Sequence, residues 1–197
     1  MKKNPLILLL VLISFFNFNK VYAIDPEVFV QSTVNRASKI LSEEISKENK
    51  MLKLQEIAKD TVDIKGIGFY TLGPTRKIIN EDQKSKYAEL FEKYFLKSFS
   101  SRLAEYTNPE IDVYGKKVLN KNYTIVNSTL KATNERPEIK IDWRVYTKNT
   151  EVPLIRDLII EGLSLARTQK EEFNSVLQSN NNDINELFKT LEKFIKN

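Results

Sequence analysis

The sequence predicts an α+β fold in which helices precede and follow an antiparallel sheet. Three observations lead there. Apolar residues recur at helical spacing through the first half of the chain and again near its end. From about Ile111 the period shortens to two. The connections near Asn120, Asn134-Glu135-Arg136-Pro137 and Asn149 are short. A parallel crossover needs about a dozen residues or more, so short connections imply an antiparallel meander.

The first helix starts at Asp25, a capping residue with Pro26 at the first helical position and Glu27 in the first turn. Val30, Val34, Ala37, Leu41 and Ile45 then form one apolar stripe. A weaker helix carries Leu54, Ile57 and Ala58, and a short one runs from about Asp63 to Leu72. Gly73-Pro74 stops it, because Gly accepts the left-handed conformation and Pro cannot continue a helix. The strongest helix opens with Asn80 and Gln83 in capping-box spacing. Tyr87, Phe91, Phe95, Phe99 and Leu103 follow four apart, widened by Leu90, Tyr94, Ser98 and Tyr106.

The sheet comes next. Strands are expected at about 111–119 and 122–132. In the third, Ile139, Ile141, Trp143 and Val145 alternate with Lys140, Asp142, Arg144 and Tyr146. The fourth, about 152–165, is apolar on both faces: Val152, Leu154, Leu158 and Ile160 on one, Ile155 and Ile159 on the other. Such a strand must be covered on both sides. Arg156 and Asp157 interrupt it, with Asp142 and Arg144 as cross-strand partners. Two helices close the chain, with capping signals at Thr168-x-x-Glu171 and Asp183-x-x-Glu186.

Residues 1–23 have the pattern of an export signal. Lys2 and Lys3 precede an apolar core from Leu6 to Phe16, and Val21-Tyr22-Ala23 offers small residues for cleavage after Ala23. An uncleaved N-terminal anchor is the alternative. Cleavage leaves one domain, residues 24–197. It also removes three lysines, so 28 basic residues face 26 acidic ones and the net charge falls from +5 to +2. A nucleic-acid footprint is therefore not expected. The chain has neither His nor Cys. That excludes the commonest zinc sites, haem ligation, thiol chemistry and Ser-His-Asp catalysis. No cofactor is implied. The sequons at Asn122 and Asn127 fall in a predicted strand of an asparagine-rich chain, where chance explains them.

A curved sheet with helices on one face can enclose an apolar pocket suited to a ligand with large apolar surface. The broad aromatic face of residues 87–106 packs a core or lines such a pocket; periodicity allows both.

Residues 157–173 read D-x-x-I-E-G-x-S-L, followed by E-F at 172–173. This pattern resembles the MlaC (toluene-tolerance) family of periplasmic phospholipid carriers. Further similar stretches are Asp63 to Gly73, Gln83 to Tyr106, Ile141-Asp142-Trp143-Arg144 and Asn185-Glu186-Leu187 onward. Departures are mild: Lys170 in place of arginine, Ile160 in place of valine, and no tryptophan after Leu72-Gly73. The resemblance implies an NTF2-like core with helical additions around an apolar cavity. It implies a monomeric shuttle carrying a diacyl phospholipid between an outer-membrane lipoprotein–porin complex and an inner-membrane ABC transporter with an MCE-domain ring, without chemistry on the lipid. On that basis the acyl tails are expected against Phe69, Leu72, Phe91, Tyr94, Phe95, Leu103, Ile141, Trp143, Val145, Leu158 and Ile160. Two other classes remain open. A periplasmic chaperone would favour methionine in an adaptable groove, and only Met51 follows the signal. An enzyme would need an acid or base in the pocket, for which Asp157 is the candidate.

Overall fold

The computed structural model describes residues 23–197, so the expected export segment lies, save for Ala23, outside the described residues. Helix α1 (Pro26–Ser42) is capped by Asp25, whose carboxylate accepts from the Glu27 N–H. Ile45 therefore falls beyond the helix and does not extend its stripe. Helix α2 (Lys47–Thr61) is capped by Ser46 and α3 (Ile64–Thr71) by Asp63. A 3-10 turn, Gly73–Lys77, follows, entered through Gly73 at φ 56°. Helix α4 (Glu81–Leu103) begins with the expected Asn80–Gln83 capping box, both halves of which are formed.

The sheet is a meander of five strands in sequence order: β1 (Ile111–Asn120), β2 (Tyr123–Leu130), β3 (Ile139–Tyr146), β4 (Leu154–Ile160) and β5 (Leu163–Ser164). All pairs are antiparallel, as the short connections require. Asn122 sits in the β1–β2 turn instead of in a strand. Helices α5 (Leu165–Ser179) and α6 (Ile184–Lys196) complete the chain.

Three local readings change. The fourth strand does not run from 152 to 165: Val152 is exposed outside it, and the chain turns after Ile160 through Glu161 (φ 50°) and Gly162 (φ 83°). The left-handed Glu161-Gly162 pair makes the tight hairpin that adds β5. Helix α5 is accordingly capped by Ser164, whose hydroxyl accepts from the Arg167 N–H; Thr168 lies inside the helix and donates back to the Ser164 carbonyl. Finally, β4 carries a bulge. Arg144 pairs with Asp157 and Val145 with Ile155, leaving Arg156 as the extra residue. Cross-strand partners share a face, so the bulge places Ile155 with Leu158 and Ile160 rather than opposite them. A one-residue insertion cannot be read from apolar alternation.

The register gives the sheet one apolar face, with Val126, Ile141, Trp143, Val145, Leu158 and Ile160, and one polar face, with Asn127, Asp142, Arg144 and Asp157. Helix α1 lies on the apolar face, where Val30 and Val34 bury Val126 and Val145. A second core joins α2 to α6 around Tyr87, Phe91, Phe173, Leu177, Leu187 and Leu191. In it the Tyr87 hydroxyl is paired with Thr71 at 2.8 Å, and burial pushes its phenol pKa up. This contribution to stability is complete below the ordinary phenol pKa of about 10 and is lost as pH rises above it.

Candidate functional site

Helix α4 takes its principal packing partners from α2, α3 and α6 instead of from the sheet. Its N-terminal half is closed: Tyr87 and Phe91 are 0% and 2% exposed. Its C-terminal half is mixed: Leu96 and Ser100 are buried. Phe95, Phe99 and Leu103 are only half-buried, with the Phe95 and Phe99 rings stacked at 5.6 Å and 9°. The next segment is tied to the sheet, because Arg136 of the β2–β3 loop lies 4.9 Å over the Tyr106 ring. Helix α2 packs on both α1 and α4, and α1 covers the apolar sheet face. Helix α2 is thus the link between α4 and the helix that covers the apolar sheet face.

The apolar side of the sheet also has half-buried surface. Trp143, Leu158 and Ile160 are half-buried, while Ile141 is 9% exposed. Trp143 donates its Nε1–H to Ser128 Oγ at 2.8 Å, and Ser128 donates to the Ile141 carbonyl at 3.1 Å. With its polar tip satisfied, the indole offers only apolar surface.

The residues expected at the tails thus fall into three groups. Phe69, Leu72, Phe91 and Tyr94 belong to the helical core, Leu72 and Phe91 being fully enclosed. Tyr94 also donates its hydroxyl to Gln169. Phe95 and Leu103 lie on the half-buried end of α4, where Phe95, like Phe99, packs against the margin of the helical core. Ile141, Trp143, Val145, Leu158 and Ile160 share the apolar sheet face, with Val145 at 0% exposure beneath α1. Phe99 joins the second group without having been singled out, although its i+4 spacing from Phe95 was the signal.

Asp157 is not in this apolar region. It is 4% exposed on the polar face, where it accepts from Ser164 Oγ at 2.6 Å and from the Ala166 N–H at 3.0 Å, with Arg144 at 3.5 Å. Every neighbour marks it as the anchor that fastens the start of α5 to β4. The expected Arg144 partnership forms, but Arg156 goes elsewhere. The bulge turns it to Asp63 Oδ2 at 2.6 Å and the Tyr123 hydroxyl at 2.8 Å, with its guanidinium 3.6 Å over the Tyr146 ring. Asp63 in turn caps α3 through the Gly66 N–H. Asp157→Ala should therefore lower unfolding free energy by about 2–4 kcal/mol, because it strands buried donors and an arginine. Urea unfolding measures it; a loss under about 1 kcal/mol would show that α5 is not fastened here.

The family described as MlaC protein matches residues 31–193. Among solved structures, the chain is similar to a phospholipid-binding protein from Ralstonia solanacearum, determined in complex with a phospholipid. The TM-score is 0.73 at 17% identity, covering 88% of this chain and 98% of that one. At that identity the likeness concerns the fold. No curated protein matches the sequence.

Proposed function

The chain belongs to the MlaC family, and from that premise we propose that it is a periplasmic carrier that binds one or more diacyl phospholipids by their tails. The observation that carries this reading is the pair of half-buried apolar surfaces, on the end of α4 and on β3–β4. Phe95, Phe99, Leu103, Ile141, Trp143, Leu158 and Ile160 line the tails, with Phe69 and Tyr94 at the margin. Leu72, Phe91 and Val145 support the wall from behind. The phospholipid in the Ralstonia solanacearum protein of similar fold supports the same ligand class.

The energetic requirement is large. Two tails hold roughly 30 methylenes at about 0.8 kcal/mol each, so crossing water bare costs on the order of 20 kcal/mol. A carrier must hide the tails nearly as well as a bilayer does, while the headgroup stays in water. The protein works as a monomer. It exchanges lipid with an outer-membrane lipoprotein–porin complex and an inner-membrane ABC transporter carrying an MCE-domain ring, and does no chemistry on its cargo. The anchoring role of Asp157 supports a binding protein over an enzyme.

Isolated without detergent, the protein should retain stoichiometric phospholipid by native mass spectrometry. Recovery of lipid-free protein that also takes up none from vesicles would end the carrier reading. Transfer from labelled vesicles should be nearly flat between pH 5.5 and 7.5. The chain has no histidine, the residue whose ordinary pKa lies there. The groups whose pKa shifts move away from that window. Pairing with Lys116 holds the Asp25 carboxyl below its usual range, and burial raises Tyr94 and Tyr87 above theirs. A steep pH dependence would place an ionising group against the lipid.

A further inference from the structure

The polar face of the sheet bounds a cleft of about 430 Å³ whose walls include Arg76, Arg144, Arg156, Tyr70 and Tyr123. Four parts of the fold bring these groups together: α3, the 3-10 turn, the bulged β3–β4 pair and the β1–β2 hairpin end. Asp63 and Asp157 oppose the three guanidiniums, but both are already committed. Asp63 caps α3 and holds Arg156 Nε, while Asp157 holds the start of α5. Arg144 reaches Asp157 only at 3.5 Å, and its Nε is buried with no acceptor among the described residues. The Arg144 side chain keeps 38% of its surface open, so its terminal amino groups, not the enclosed Nε, can meet an acceptor that enters the cleft. Arg76 is exposed and has no ion-pair partner among the described residues. The Tyr123 hydroxyl accepts from Arg156, so its own proton is free to be donated into the cleft. Beyond Tyr70 a second depression adds Arg167 and Lys170, the latter with Nζ 5.3 Å over the Tyr70 ring.

We propose that this cleft binds a phosphate group, with the Arg144 and Arg76 guanidiniums and the Tyr123 hydroxyl as donors. The planar donors of guanidinium match tetrahedral oxyanions, and charge-assisted bonds of this kind are the strong ones. The phosphate is either free in solution or the headgroup of a lipid at a membrane surface. The site is independent of the tail-binding surfaces, because Arg144 and Asp157 point to the opposite face of the sheet from Trp143 and Leu158.

The test uses the mature protein in two arms. In the first, inorganic phosphate is titrated while arginine Nε–Hε NMR signals are followed, with chloride at equal ionic strength as control. Saturable movement of the Arg144 signal by phosphate alone is expected. Arg76→Gln, which keeps the Arg144 reporter, should weaken it about tenfold or more. Arg76 is exposed, so its replacement leaves the fold intact, and Arg36→Gln, which removes a surface pair with Asp60, should change nothing. In the second arm, co-sedimentation compares vesicles of phosphatidylcholine with and without phosphatidic acid. Phosphate binding without vesicle binding assigns the site to free phosphate. Vesicle binding that depends on phosphatidic acid and on Arg76 assigns it to a lipid headgroup. If chloride acts like phosphate, or if neither arm responds to Arg76→Gln, the site is not there. Loss of tail-bound lipid would leave both arms unaffected, so failure of the carrier reading and failure of this one are separable.

Discussion

Phe91→Ala should destabilise the protein by about 3–5 kcal/mol, the range for removing a large aromatic side chain from a closed core. Phe91 is 2% exposed, and its ring lies 5.8 Å from Tyr87, 6.2 Å from Tyr94, 6.1 Å from Phe95 and 6.2 Å from Phe173, edge-on to the last. Gly68 sits directly against it: a Cβ there would come within 2.8 Å of the ring. Small-to-large packing of this kind leaves little freedom for collapse, so the cavity term should be nearly full. Urea unfolding of wild type and variant gives the difference at unchanged slope. A loss below about 1.5 kcal/mol would mean that the aromatic cluster repacks, and that Phe91 does not hold α3, α4 and α5 together.

The second large effect should be functional. Leu158→Trp places a bulky ring on the half-buried sheet face, opposite Trp143 in the register. If the space in front of Leu158 belongs to the acyl tails, the added volume competes with lipid instead of straining the core. Overpacking a solid interior costs about 1–3 kcal/mol of stability. Here the same penalty should fall on binding, lowering lipid occupancy roughly tenfold or more at nearly unchanged Tm. Occupancy by native mass spectrometry and Tm by calorimetry are measured on one preparation. A drop in Tm with full occupancy would identify Leu158 as an ordinary core position.

Much of the fold was legible because its signals are local. The caps at Asp25, Asn80 and Asp183 follow from short polar side chains able to satisfy the free N–H groups of a first turn. The antiparallel order follows from short connections, and the apolar face of β3 from strict alternation. The β4 region was less legible. Thr168 and Glu171 satisfy the capping pattern, yet Ser164 caps α5 because the left-handed turn at Glu161-Gly162 reverses the chain early and brings Ser164 and the Ala166 N–H to Asp157. Arg156 was legible as an interruption but not as the residue that joins Asp63, Tyr123 and Tyr146, since the bulge that aims it depends on pairing with β3.

The sequence by itself determined the fold class, the strand order, the charge balance and the absence of histidine and cysteine, because each depends on composition or on periodicity over a few residues. Within the aromatic stripe of α4 it could not separate closed from open positions. Phe91 and Phe95 have the same spacing and the same chemistry, yet one is sealed by Gly68 and Phe173 and the other is half-buried. Only the tertiary structure decided that difference, and only it gathered Arg76, Arg144 and Arg156 into one cleft. The physical reason is the same in both cases. Burial and electrostatic environment belong to the surfaces that distant segments present to one another, and no local window of sequence contains both sides.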